Sequence, residues 1–283
     1  MHESISHVST GTTFSPEENP FQTVVVDITH RCNMECSNCY VPNRDIPDLD
    51  AQWFLDIIKR FPNRTRVRLI GGEPTVRKDL EEIVSSIRKM GHLPVLCSNG
   101  LKLANRSYSK RLKSAGLRTL HMSMNGGLED ALYEKVDDMA CAERKLAALD
   151  VLCEENFFVT LGMIVVPGVN DHHVVDFFKY VRNRPQVREF HLRNVGPMGR
   201  YTEVPQLSFD GLVKLASEMT GLSSEQILAY RGKGEHYIDF AHDGIQIQLT
   251  DWPDLGNTYR GRLTPEGFIE PFMEHVIANQ GGY

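Results

Sequence analysis

Short runs of β-branched and apolar residues at 23–28 (TVVVDI), 66–70 (RVRLI), 93–97 (LPVLC), 118–123 (RTLHMS), 158–166 (FVTLGMIVV) and 187–194 (VREFHLRN) alternate with stretches of helical spacing. Helices are expected over 51–60, 78–90, 107–115, 142–154 and 172–183. In the second of these, Leu80, Ile83, Val84, Ile87 and Met90 share one face, and Gly91 ends it. Strand, helix and strand repeated in this way require a parallel sheet with right-handed crossovers. Six such units fall short of the eight of a closed barrel. The expected fold is therefore α/β, an open partial (β/α)6 barrel whose functional groups gather at the C-terminal ends of the strands.

The pattern changes near residue 200. Helices at 207–219 and 223–231 lead to short strands at 244–250 and 259–270, with TPEG (264–267) supplying hairpin turn chemistry. The expected organisation is a flexible arm at 1–20, a barrel at 21–200, and a small α+β extension at 201–283 that covers the substrate. With 283 residues, 41% of them hydrophobic, the chain can bury a core without disulfide support. A net charge of −6 implies no general attraction to nucleic acid or to an anionic membrane. Arginines cluster at Arg64, Arg66 and Arg68 and at Arg182, Arg184 and Arg188, but neighbouring acids offset them. The first twenty residues lack the apolar core of a signal peptide. The most apolar stretch, 157–169, is interrupted by Thr160, Gly162, Pro167 and Gly168 and is too short to span a bilayer. A cytoplasmic location with reduced thiols is expected.

Reduced thiols make the cysteine placement informative. Cys32, Cys36 and Cys39 form a C-x3-C-x2-C pattern directly after the first strand, while Cys97, Cys141 and Cys153 are dispersed and none follows. A loop leaving a strand can curl three thiolates together, and soft thiolates select zinc or iron–sulfur clusters. A zinc site with His30 as fourth ligand and an iron–sulfur site both fit these residues.

The chain resembles the radical S-adenosylmethionine superfamily in this loop and in three further motifs, over roughly residues 21–200. The resemblance implies that Cys32, Cys36 and Cys39 bind three irons of one 4Fe–4S cluster, leaving the fourth iron for the amino and carboxylate groups of S-adenosylmethionine. Gly71-Gly72-Glu73-Pro74 after the second strand is similar to the family's GGEP motif, in which the backbone and the glutamate hold the methionine amino group. A glycine pair permits close approach of backbone to a ligand. Ser98-Asn99-Gly100 is similar to its TNG-like element, and Ser123-Met124-Asn125-Gly126 to its S-x-D-G element, with asparagine in place of aspartate. These residues and Asn194, at strand ends, are the implied cofactor contacts. The aromatic that often precedes the third cysteine is replaced by Asn38, and Tyr40 is the substitute candidate.

Within the superfamily the pattern is nearest to the GTP 3′,8-cyclases of molybdopterin biosynthesis, on GMIVVPGVND (162–171), HLRNVGPMGR (191–200) and the hairpin RLTPEGFIEPFMEHV (262–276). Their hairpin usually carries an auxiliary-cluster cysteine after the proline, where this chain has Phe272 after Pro271. One cluster then implies a redox-neutral reaction, such as epimerisation, isomerisation, elimination or cyclisation. The resemblance implies a 5′-deoxyadenosyl radical that abstracts hydrogen from a small polar metabolite, a sugar, nucleotide or natural-product intermediate. An external electron donor such as flavodoxin or ferredoxin would supply the electron. Candidate substrate-binding side chains are His191, Arg193, Arg200, Tyr201, His242, Asp251, Trp252, Arg260 and Arg262. Arg260 and Arg262 lie on one face of a strand, where a pair of guanidinium groups could grip a carboxylate or phosphate. Cys97, at the end of the third strand, and Cys141, at the start of a helix, are candidate hydrogen-atom donors. A maturase of a ribosomal peptide and a zinc-dependent interaction module are the alternatives.

Overall fold

The computed structural model describes residues 12–36, 39, 41, 43–195, 207–231, 237–251 and 260–272. Its elements run β1 (Thr23–Thr29), α1 (Ala51–Ile58), β2 (Arg66–Gly71), α2 (Leu80–Lys89), β3 (Leu93–Ser98), α3 (Arg106–Ala115) and β4 (Thr119–Ser123). They continue with α4 (Asp130–Asp137), α5 (Ala142–Glu154), β5 (Phe158–Val165), α6 (Val174–Val181) and β6 (Val187–Asn194). Then follow α7 (Phe209–Thr220), α8 (Ser224–Leu228), β7 (Tyr237–His242), β8 (Ile245–Thr250), β9 (Arg260–Leu263) and β10 (Ile269–Pro271).

All ten strands form one sheet in the order β10-β9-β1-β2-β3-β4-β5-β6-β8-β7. Strands β1 to β6 are parallel neighbours. The C-terminal strands extend both edges: β9 pairs parallel with β1, and β8 parallel with β6. Antiparallel β10 and β7 end the sheet, which therefore stays open. The N-terminal stretch is partly built in, because Phe14 exchanges backbone hydrogen bonds with Ile269 of β10 at 2.8 and 2.9 Å. Residues 1–11 lie outside the described residues.

Alternation along the strands separates two faces. Val67, Leu69, Leu96, Leu120, Met122, Leu161, Phe190 and Leu192 are buried in the helix-covered core. The residues between them, Arg68, Cys97, His121, Thr160, Glu189 and His191, point to the opposite face and touch one another there. Parallel strands are ordinarily apolar on both faces. A polar inner face thus marks the inside of the curved sheet as a place for a ligand.

Two elements have no counterpart in the sequence reading. Helix α4 is a two-turn insertion between β4 and α5. Strand β7 pairs with β8 around Asp243-Gly244, both with positive φ (49° and 79°), the Asp-Gly pattern of a tight hairpin. Among the described residues no helix is long and apolar enough to cross a membrane.

Candidate active site

The loop after β1 carries Cys32, Cys36 and Cys39, each partly exposed and none in a disulfide. The Cys39 N–H donates to the Cys36 carbonyl at 3.2 Å, folding the loop back on itself. Arg44 donates through Nη1 to the Met34 carbonyl and through Nη2 to Cys39 Sγ, the latter at 3.4 Å. Asn99 Nδ2 lies 3.9 Å from Cys32 Sγ. These N–H groups face sulfur, the arrangement that stabilises the negative charge of a thiolate-held cluster. Burial pushes the Cys32 thiol up and the Cys36 thiol up to about 12, so metal must displace their protons. His30, the fourth zinc ligand in the other reading, has its Nδ1 3.1 Å from the Asn43 carbonyl oxygen. No three His, Cys, Asp or Glu side chains among the described residues converge as ligands of a single ion do. A cluster does not need that convergence, because each thiolate takes its own iron.

The Gly71-Gly72 pair makes its close approach to this loop. The Gly72 N–H donates to Thr29 O and the Glu73 N–H to Arg31 O, both at 2.8 Å. A Cβ on Gly71 would sit 1.9 Å from Thr29 O, and one on Gly72 would sit 2.4 Å from Arg31 O. Glycine is therefore required here by backbone against backbone, at the root of the cysteine loop. Glu73 is fully buried. Its Oε1 accepts from Thr75 N (3.0 Å), Thr75 Oγ1 (2.6 Å) and Ser98 Oγ (2.8 Å), and its Oε2 accepts from Asn99 N (2.6 Å). Each carboxylate oxygen offers about two acceptor positions, so Oε2, with one donor, retains one. Pro74 begins a buried 3-10 turn, Pro74–Val76, which Glu73 caps.

Asn125 holds strands rather than facing outward. It donates to Asp137 Oδ1 at 2.8 Å and accepts from Ile164 N at 2.9 Å, and its carbonyl accepts from Asn170 Nδ2 at 2.8 Å. Ser123 receives the fully buried Lys145, whose Nζ donates to the carbonyl at 2.9 Å and to Oγ at 3.3 Å. Asp137 is 3.9 Å from Lys145 Nζ. The sequence reading missed this buried pair. Lys145 stands at a core position of an apolar helical pattern, a signal that was available. At the end of β6, Asn194 donates to Leu207 O (2.5 Å) and Asp251 Oδ1 (2.6 Å), while its buried Oδ1 has no partner among the described residues. An orphaned buried acceptor at the C-terminal end of a strand fits a site built for a ligand bearing N–H or O–H groups.

Below this rim the inner face is cationic. Arg68 Nε donates to Cys97 Sγ at 2.9 Å, and its Nη2 lies 3.2 Å from His121 Nδ1. His191 Nε2 is 3.2 Å from Glu189 Oε2. Arg260, on β9, is lowered to about 10 by burial and by the charges of Arg68 and Arg193, which places these three guanidinium groups in one electrostatic neighbourhood. The Arg260 charge is also felt by Tyr237 of β7. Arg262 is engaged elsewhere, 2.8 Å from Asp27 Oδ2. Of the two guanidinium groups on this face of β9, Arg262 is thus paired with a carboxylate, while Arg260 has none among the described residues.

The remaining candidates divide. Cys97 faces the barrel interior, whereas Cys141 is buried with Met34, Leu101, Tyr133 and Ala142 in a cluster against which Cys32 and Cys36 pack. His242 lies at the β7–β8 turn beside Asp243, at the far end of the strands from the cysteine loop. Tyr40, Arg200, Tyr201 and Trp252 lie outside the described residues.

A thiolate loop at the C-terminal rim of an open parallel barrel defines an enzyme that does its chemistry with an iron–sulfur centre. Residues 26–181 match the family model described as the Radical SAM superfamily, and the chain belongs to that family. Its members use a 4Fe–4S cluster and S-adenosylmethionine. The chain is 32% identical over 211 residues to the 7,8-dihydro-6-hydroxymethylpterin dimethyltransferase of Methanocaldococcus jannaschii, covering 69% of this chain and 41% of that one. It is 27% identical over 260 residues to the GTP 3′,8-cyclase of Campylobacter curvus, covering 88% of this chain and 79% of that one. Streptococcus suis SuiB bound to S-adenosylmethionine shares the fold, with a TM-score of 0.66 at 14% identity over 92% of this chain and 61% of that one. The chain spans about two fifths of the length of the dimethyltransferase.

Proposed function

We propose that this enzyme abstracts a hydrogen atom from a small, polar, anionic metabolite held inside the barrel, in a reaction that is redox-neutral overall. The observation that carries this reading is Arg260: a half-buried guanidinium with no carboxylate partner among the described residues, within the electrostatic reach of Arg68 and Arg193. Such a group invites an anion. The name GTP 3′,8-cyclase, borne by the Campylobacter relative, describes a small anionic substrate of this class.

When bound, the cluster and S-adenosylmethionine supply the radical that removes the hydrogen atom. The chain does the rest. Cys32, Cys36 and Cys39 hold the cluster, and the Gly71–Pro74, Ser98-Asn99, Ser123 and Asn194 positions border the S-adenosylmethionine site. Arg260 grips the substrate anion, and Cys97 returns a hydrogen atom to the substrate radical. The thiyl radical left on Cys97 takes one electron from the external donor and one proton from solvent to restore the thiol. The redox-neutral reading is supported by residues 154–283, which contain no cysteine for a second cluster. The first electron comes from an external donor of the flavodoxin or ferredoxin type.

Substrate-dependent formation of 5′-deoxyadenosine, screened over fractions of polar metabolites, tests this. Active fractions should bind an anion exchanger, and Arg260→Met should abolish the stimulation while iron content and S-adenosylmethionine binding stay normal. Stimulation by neutral fractions only, or an Arg260→Met protein equal to wild type, overturns the reading.

A further inference from the structure

On the inner face of β5, Thr160 stands beside His121 of β4, but the next inward position, Gly162, has no side chain and lies diagonally between His121 and His191 of β6. Gly162 of β5 stands opposite Ser123 on one side and His191 on the other. A Cβ added there meets only the Met122 carbonyl oxygen, at 4.0 Å. Gly162 is not among the glycines with positive φ, so no turn requires it. Glycine inside a strand weakens it, and often marks where a ligand comes close to the backbone. The His121 and His191 rings flank this notch with centroids 5.8 Å apart.

Each ring has one nitrogen fixed by a partner that allows a single tautomer. Arginine has only donors, so Arg68 Nη2 makes His121 Nδ1 an acceptor and puts the ring proton on Nε2. An ionised carboxylate only accepts, so Glu189 Oε2 puts the His191 proton on Nε2 and leaves a lone pair on Nδ1. Thr160 Oγ1 donates to the same Glu189 oxygen at 3.0 Å and holds it. Burial pushes both histidines below the usual range. The Arg68 and Arg260 charges add to this at both rings. At His191 burial is the largest effect and leaves the ring lowered despite Glu189, and the lowering favours the neutral form of both. Neither His121 Nε2 nor His191 Nδ1 has a partner among the described residues.

We infer that His121 Nε2–H and His191 Nδ1 form a donor and acceptor pair across the Gly162 notch that reads a hydroxyl group on the substrate, which makes the substrate a small hydroxylated anion. This rests on the proposed anionic substrate held by Arg260. A hydroxyl needs one acceptor for its proton and one donor for a lone pair, and the two rings supply one of each. Arg68 and Glu189 are positioning residues, acting through the tautomers they fix.

The test uses the protein loaded with its cluster and S-adenosylmethionine. Calorimetric titration should show glycerol 3-phosphate binding about tenfold more tightly than propyl phosphate, which has the same anion and no hydroxyl. His121→Phe should erase the preference and keep propyl phosphate binding. Equal affinities in the wild type overturn the hydroxyl reading and leave the Arg260 anion site standing, whereas failure of both phosphates to bind removes both. Nitrogen-15 NMR of histidine-labelled protein gives a readout that needs no ligand. Both rings should be neutral Nε2–H tautomers at neutral pH, and Arg68→Met should let His121 exchange between tautomers. A proton on Nδ1 of either ring in the wild type overturns the inference.

Discussion

Glu73 Oε2 accepts the backbone N–H of Asn99 at 2.6 Å, joining the loop after β2 to the loop after β3. Because Asn99 also reaches Asn33 Oδ1 at 2.8 Å, the tie continues into the cysteine loop. One buried carboxylate thus sets the mutual positions of three loops at the barrel rim.

Glu73→Gln should therefore act on stability as well as on ligand affinity. Replacing a carboxylate oxygen by an amide turns an acceptor into a donor facing N–H or O–H groups, a loss of about 1–3 kcal/mol. Chemical denaturation should show that loss, and calorimetry should show weakened S-adenosylmethionine binding. A denaturation midpoint and an affinity both equal to wild type would remove Glu73 from this role.

Anaerobically purified protein should be brown, with about four irons and four sulfides per chain, as one thiolate triplet implies. Alanine at Cys32, Cys36 or Cys39 should abolish the colour. Zinc in place of iron, or about eight irons, would contradict a single cluster.

Lys145→Met should leave Asp137 as a buried charge without its cation, costing about 3–5 kcal/mol. Replacing both residues by apolar ones should restore part of the loss. Thermal and urea denaturation check this, and single and double variants of equal stability would show that the pair is energetically idle.

Stability should fall as pH drops from 7 toward 5. His92, His121 and His191 are all lowered from the ordinary 6.5 by burial. The unfolded chain therefore binds protons first, and ΔG of unfolding rises with pH through this window. Their contribution is complete above the unfolded value and is lost as pH falls through the folded ones. Below it, Asp79, held low by its hydrogen bonds from Arg77, adds an acid loss of its own. Denaturant midpoints that do not change between pH 7 and 5 would rule this out.

With the substrate in hand, turnover in D2O should place one deuterium at the reacting carbon if Cys97 returns the hydrogen atom. Cys97→Ala should then stop turnover while 5′-deoxyadenosine still forms. Product free of deuterium from a fully active Cys97→Ala enzyme would dismiss the thiol and favour a lyase or rearrangement.

The chemistry was legible in the sequence because it is local. The cysteine triplet, Gly71-Gly72-Glu73-Pro74, Ser98-Asn99-Gly100 and Ser123–Gly126 each follow a strand whose periodicity is plain, so their order places them on one rim. Parallel pairing of β1 to β6 likewise follows from the alternation of strand and helix. What only the tertiary structure decided is how the inner face is used. Spacing puts Arg260 and Arg262 on one face of a strand, but β9 beside β1 brings Asp27 to Arg262 and leaves Arg260 near Arg68. Cys97 and Cys141 look alike as isolated thiols, yet one meets Arg68 on the inner face and the other is buried in an apolar cluster against which Cys32 and Cys36 pack. His121, Glu189 and His191 read as the polar half of ordinary alternating strands. Alternation along β6 puts Glu189 beside His191, but only the pairing of β4 and β6 through β5 brings His121 to them, and that pairing belongs to the whole sheet rather than to any segment of it.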